Sequence, residues 1–276
     1  MSAAVVASRI TEPATLARVG DVLRDIARGG LAAAIVGLVV GGVGGRVLMT
    51  VAALMNPEAA GMRTENGELV GVFTIPGTVA LLIFGGLFGG MLAGVVWVVV
   101  APWLPFSGPR RWLVAMPVAV SLGGYFLVES TNRDFVILDP LVPIIAMLLG
   151  LVAVMGAAVA WLDERLDRIL PRAATRPGRM TLAYGAIAVL GLPALLLTLL
   201  AYFSEDFSRA VSPHRVGYAA LIAGVATVLW WAARIRTGRH QPPPGLLAAG
   251  RIGVVAAVGL GAAHLWTEVA RIIAFN

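Results

Sequence analysis

Seven stretches of the chain, near residues 29–55, 78–101, 112–129, 140–162, 181–203, 216–233 and 252–270, are apolar almost throughout. A hydrocarbon layer of about 30 Å takes about 20 helical residues to cross, with roughly 17 as the lower limit. Inside lipid every backbone polar group must be paired within the protein, which leaves helices and closed barrels as the only spanning structures. None of the stretches alternates apolar with polar residues, so the pattern predicts helices. The expected fold is an all-α integral membrane protein: a seven-helix transmembrane bundle over residues 29–276, preceded by a cytoplasmic segment, 1–28. Composition agrees, since 59% of the residues are hydrophobic and only 13% charged, against about a quarter charged in soluble domains.

The net charge of +6 does not indicate nucleic acid, because the arginines fall in short loops between the apolar runs. Such loops stay cytoplasmic. With the N-terminus inside, Arg9, Arg18, Arg24, Arg28, Arg110, Arg111, Arg165, Arg168, Arg172, Arg176, Arg179, Arg234, Arg236, Arg239 and Arg251 share the inner side. The outer side holds Arg63, Arg133, Arg209, Arg215 and Arg271, with most of the carboxylates: Glu58, Glu65, Glu68, Glu129, Asp134, Asp139, Glu205, Asp206 and Glu268. The pattern predicts a multi-pass protein of the cell membrane, N-terminus cytoplasmic and C-terminus outside. Trp and Tyr favour the membrane–water interface, and Trp97, Trp103, Trp112, Trp161, Tyr184, Trp230 and Trp231 fall at inner ends of the runs. Tyr125, Tyr202, Tyr218 and Trp266 fall toward outer ends.

Within lipid, helices associate through close backbone approach at small residues. Gly37, Gly41 and Gly45 form such a ridge in the first run, and Gly86, Gly90 and Gly94 another in the second. An antiparallel hairpin pairs 37 with 94, 41 with 90 and 45 with 86. Thr11 to Arg28 carries a helical stripe of Leu16, Val19, Val22, Leu23 and Ile26, and reads as an amphipathic interfacial helix on the inner surface. The first outer loop contains Asn66-Gly67 between β-favouring stretches, a hairpin signal. Pro117 and Pro193 lie within the third and fifth runs, where proline bends a helix.

Two polar groupings stand out. Arg46 lies inside the first run, where a charge either snorkels to the surface or finds a partner or wet cavity; Glu129, Asp139 and Glu268 fall at the same level. In the seventh run His264, Glu268 and Arg271 share one face. His264 and Glu268 are too few for a metal site, with His214 the one histidine placed to join them and His240 on the opposite side. No metal and no cofactor is expected. Lysine is absent, which excludes a retinal Schiff base, and with no cysteine there is no disulfide or thiolate chemistry. No P-loop, HExxH, GxSxG or dinucleotide fingerprint occurs, and an enzyme is the weaker expectation.

Two functions fit. One is a small-solute permease or channel-like transport subunit, with an outward polar vestibule formed by Arg46, Glu129, Asp139, His264 and Glu268. The other is a non-catalytic scaffold or accessory subunit that docks partner proteins through its glycine ridges and amphipathic arm. The expected partners are the bilayer itself and anionic lipid head groups at the basic inner loops.

Overall fold

The computed structural model describes residues 3–64, 69–203 and 213–274. Asn66-Gly67, with Glu65 and Glu68, lies outside the described residues, as do Glu205, Asp206, Arg209 and the side chains of Arg9, Tyr125 and His214. Beside the Asn66-Gly67 position, Arg63 and Leu69 form one antiparallel bridge. Every other regular element among the described residues is helical.

The chain begins with one continuous rod: α1 (Ala3–Val36), a π-helical stretch (Gly37–Val43) and α2 (Gly44–Met55). The returning rod repeats that plan with α3 (Ile75–Ala80), a π-helical stretch (Leu81–Phe88) and α4 (Gly89–Val100). Then follow α5 (Pro109–Gly123), the single turn α6 (Asp134–Ile137), α7 (Leu141–Ile169), α8 (Pro177–Leu190), α9 (Leu192–Phe203), α10 (Pro213–Thr237) and α11 (Pro244–Ala274). Proline begins α5, α8, α10 and α11, where its missing N–H is one that a helix start leaves unpaired anyway. Pro193 acts differently: it separates α8 from α9 at Gly191, inside one apolar run.

Six rods are long and apolar enough to cross a membrane: Ala14–Met55, Ile75–Trp103, Leu141–Thr175, Pro177–Phe203, Arg215–Thr237 and Pro244–Ala274. The third apolar run makes a shorter helix. α5 has 15 residues, about 22 Å at 1.5 Å per residue, and a 3-10 turn at Gly124–Phe126 extends it after the Gly123-Gly124 pair.

The N-terminal segment is not a separate helix. Ala14–Met55 counts 42 residues, about 63 Å of helix, twice the hydrocarbon thickness, so the first rod projects well beyond one face of any bilayer it crosses. Its projecting part packs on protein: Val22, Arg24 and Ala27 are buried, and a Cβ at Gly20 would strike Thr181 of α8. The apolar stripe is covered in part by α8 and by the turn before it.

The two glycine-rich rods meet backbone to backbone, in a register different from the expected one. A Cβ on Gly90 would lie 2.8 Å from the Gly37 Cα, one on Gly94 3.2 Å from the Gly30 Cα, and one on Gly86 3.2 Å from the Gly42 Cα. The observed partners are thus 37 with 90, 30 with 94 and 42 with 86. Gly41 faces Met155 of α7, and nothing nearer than the Leu81 side chain, at 3.9 Å, approaches Gly45. The rods are offset by about one turn from the expected register, with Gly37 at Gly90 rather than Gly94, and the π-helical stretch adds a local change. Its i→i+5 bonding widens the turn, so the position that follows Gly37 on the facing side is Gly42, not Gly41.

The main apolar core lies among α4, α5, α9, α10 and α11, around Trp103, Leu122, Val128, Tyr202, Val216 and Val254. Trp97, Trp103, Tyr184, Tyr202 and Trp230 are buried there or between other helices, so they do not form a lipid-facing belt; Trp161, Tyr218 and Trp266 are exposed. Burial favours pairing of the polar tips, although the buried Trp97 Nε1 has no hydrogen-bond partner among the described residues. Trp103 Nε1 donates to Thr227 Oγ1 at 3.0 Å, and the Tyr202 hydroxyl donates to the Leu122 carbonyl at 2.9 Å.

Candidate functional site

Contacts between distant segments define two ends of the bundle. At the end where α5 and α11 finish, α11 places His264, Glu268 and Arg271 on one face, one turn apart. Glu268 is only 3% exposed. Its two oxygens are held separately, one by the backbone N–H of Ser130 at 2.9 Å and the other by Arg271 Nη1 at 2.9 Å. A carboxylate can be buried there because two donors, one of them charged, replace its water.

These side chains open onto a cleft of about 240 Å³ between α10 and α11. Arg215 and Val216 of α10 form one wall; Leu260, Ala263, His264, Thr267, Glu268 and Arg271 of α11 form the other. Among the described residues Arg215 makes no ion pair. Arg215 and Arg271 were not in the predicted vestibule, although Arg271 follows Glu268 at helical spacing.

The five predicted vestibule residues do not converge. His264 and Glu268 line the cleft, and Glu129 adjoins Ser130, the Glu268 donor. Arg46 is elsewhere: its guanidinium stacks over the Phe73 ring at 3.8 Å, with Nη2 3.5 Å from the Val72 carbonyl oxygen. None of Glu129, Asp139 and Glu268 pairs with it. Asp139 is exposed and is held through its backbone, whose N–H donates to Asn56 Oδ1. Asn56 itself is fully buried and donates to the Ala52 carbonyl at 2.8 Å. It fastens the end of α2 to the segment leading into α7.

The opposite end carries the densest set of ion pairs among the described residues. Arg28 Nε meets Asp163 Oδ1 at 2.7 Å, Arg24 Nη1 meets Asp167 Oδ1 at 2.8 Å, and Arg28 also reaches Asp167. Arg111 at the start of α5 approaches Asp163 Oδ2 at 3.4 Å and stacks over Trp97 at 5.1 Å. Glu164 accepts from the Gly108 N–H at 2.8 Å and Trp112 Nε1 at 3.0 Å. Arg234 of α10 pairs with Asp25, while Arg18 Nη1 caps the last carbonyls of α10 from 3.3 Å. Asp163, 1% exposed, is the innermost member. Arg24, Arg28, Arg111 and Arg234 balance Asp25, Asp163, Glu164 and Asp167, so the network is neutral and ties α1, α5, α7 and α10 together.

This network is missing from the sequence-level vestibule. Its signal was the Asp163, Glu164, Asp167 cluster after Trp161, facing the Asp21, Arg24, Asp25, Arg28 ladder of α1. Every carboxylate in it faces a cation or a donor, which suits a structural tie better than proton transfer. Among the described residues no three His, Asp or Glu side chains gather as a metal site. Compared with protein-family models, curated proteins and solved structures, the chain matches none, so its several apolar helices, which make it a candidate polytopic membrane protein, are the whole of its classification.

Proposed function

We propose that this chain is a seven-pass protein of the cell membrane, N-terminus cytoplasmic, and that it passes a small solute by way of the cleft between α10 and α11. The cleft is the observation that carries the reading: ionisable side chains on lipid-crossing helices are costly, and they concentrate where a solute or ion path exists. Two further features support it. The cleft lies at the outer end of the arginine-derived topology, and the ion network ties the helices together at the other end. An open mouth facing a closed base is the geometry of a solute path sealed on one side.

The test is flux. Full-length protein is reconstituted into proteoliposomes, and stopped-flow light scattering follows their response to inward gradients of sodium acetate, sodium chloride and glycerol. Relaxation faster than protein-free vesicles for any one solute, and slowed by Glu268→Gln, is the expected result. Rates equal to those of empty vesicles for all three would overturn the reading.

The accessory-subunit alternative draws on a different feature, the long projection of α1 past the bilayer. Purification in mild detergent separates the two. A partner that stays at fixed stoichiometry, together with absent flux, favours the accessory role.

A further inference from the structure

Among the described residues, the cleft between α10 and α11 holds one more positive charge than negative. Arg215 and Arg271 both line it, and Glu268 is the one carboxylate among its described walls. Glu268 is committed: it is buried, and its oxygens are taken by Ser130 and Arg271. Arg215 is exposed and makes no ion pair among the described residues. Arg271 spends one nitrogen on Glu268 and is 42% exposed, which leaves other donors of its planar fork turned outward.

We propose that the cleft binds a singly charged oxyanion, a carboxylate or a phosphodiester, between Arg215 and the outward edge of Arg271. This rests on the reading of the cleft as the solute entrance and names the class of solute. Three physical arguments converge. Guanidinium groups match the flat, two-oxygen face of such anions and bind them bidentately. The surplus of one charge is cancelled by one negative charge; a dianion leaves the site negative. Glu268 acts as a positioning residue, since it fixes Arg271 while consuming half of the cationic charge, and so sets the selectivity for monoanions.

The shared chemistry has two sources, a soluble carboxylate or the phosphodiester of a lipid head group. Full-length protein in maltoside micelles is melted in sodium acetate, sodium sulfate or sodium chloride at constant ionic strength, and then with dioctanoyl phosphatidylglycerol. The expected result is a saturable rise in melting temperature with acetate and not with sulfate. Arg215→Gln weakens the acetate response about tenfold or more, as the loss of a charge-assisted bond requires. Arg215→Lys keeps most of it, and Arg63→Gln, outside the cleft, keeps all of it.

If micromolar phosphatidylglycerol abolishes the acetate response, the occupant is the lipid head group; if it has no effect, the occupant is the soluble anion. A wild-type melting temperature indifferent to both acetate and the lipid overturns the proposal, as does an unchanged response in Arg215→Gln. A sulfate response equal to that of acetate overturns the monoanion selectivity. Binding is read without a membrane gradient, so acetate binding with no flux refutes transport alone, and flux with no Arg215-dependent binding refutes the oxyanion site alone.

Discussion

At the scale of single residues, Asp163 carries the greatest consequence. It is buried and faces both Arg28 and Arg111, so Asp163→Asn removes the one carboxylate they share and leaves Arg28 to Asp167 and Asp25 and Arg111 to Glu164 at 3.8 Å. Breaking one partner of a buried pair costs up to about 3–5 kcal/mol where the remaining charge has no other partner; with these partners left the loss is smaller, and the melting temperature of the detergent-solubilised protein should still fall. Asp167 is the internal control. Its side chain is 49% exposed against 2% for Asp163, so solvent screens its pairs in part and Asp167→Asn should cost less than Asp163→Asn. Equal losses for the two variants would show that burial does not set the strength of this network. Asn56 tests the other end: Asn56→Ala leaves the Asp139 N–H without its partner and should cost about 1–2 kcal/mol, as a buried hydrogen bond does. The sequence made the arginines legible as a sign of sidedness, and their partners illegible. Loop charge reports which face a segment takes, whereas the pairing of Arg28 with Asp163 spans 135 positions and depends on α1 lying beside α7.

At the scale of elements, the two glycine-rich rods show how far periodicity reaches. Regular spacing of small residues was enough to suggest that the first two rods touch, since helices in lipid need such notches. It did not give the register: the rods are offset so that Gly37 meets Gly90 and Gly30 meets Gly94, and Gly37–Val43 and Leu81–Phe88 are π-helical where an α-helical repeat was assumed. The distinction is measurable. Gly90→Ala places a methyl group against the Gly37 backbone, where overpacking costs about 1–3 kcal/mol, and melting should fall. Gly45→Ala, with its nearest neighbour a flexible Leu81 side chain at 3.9 Å, should lie within about 0.5 kcal/mol of the parent. The four-residue pairing sets Gly45 against Gly86 as well as Gly90 against Gly41, and so demands comparable losses at the two positions. The aromatic residues make a related point: their place along each run follows from the sequence, but their direction follows from which helix lies alongside. Trp103 turns inward to Thr227, and a pattern of positions along one helix does not contain that information.

At the scale of the whole molecule, the question is whether the chain crosses an odd number of times. Six rods suffice to cross by length, and a six-pass chain would leave both termini on one face. The proposed seventh crossing belongs to α5. Its first residues join the Arg28 and Asp163 network through Arg111, and the chain just past its end joins Glu268 through Ser130. α5 therefore runs from one end of the bundle to the other, and its 15 residues with the following 3-10 turn reach about 28 Å, close to the hydrocarbon thickness. The chain has no cysteine, so single replacements report sidedness without background. Ala174→Cys, between α7 and α8, should react with a membrane-impermeant maleimide only after cells are permeabilised, whereas Ile273→Cys, at the end of α11, should react in intact cells. The reverse pattern, Ala174→Cys reactive in intact cells and Ile273→Cys protected, is what a chain without the α5 crossing gives with its N-terminus inside, since three rods separate the two positions; it would close the cleft to the outside. Such a result would place Arg215 and Arg271 among the basic residues of the inner face, where their charge would serve lipid attachment, and the solute path would lose the feature that argues for it.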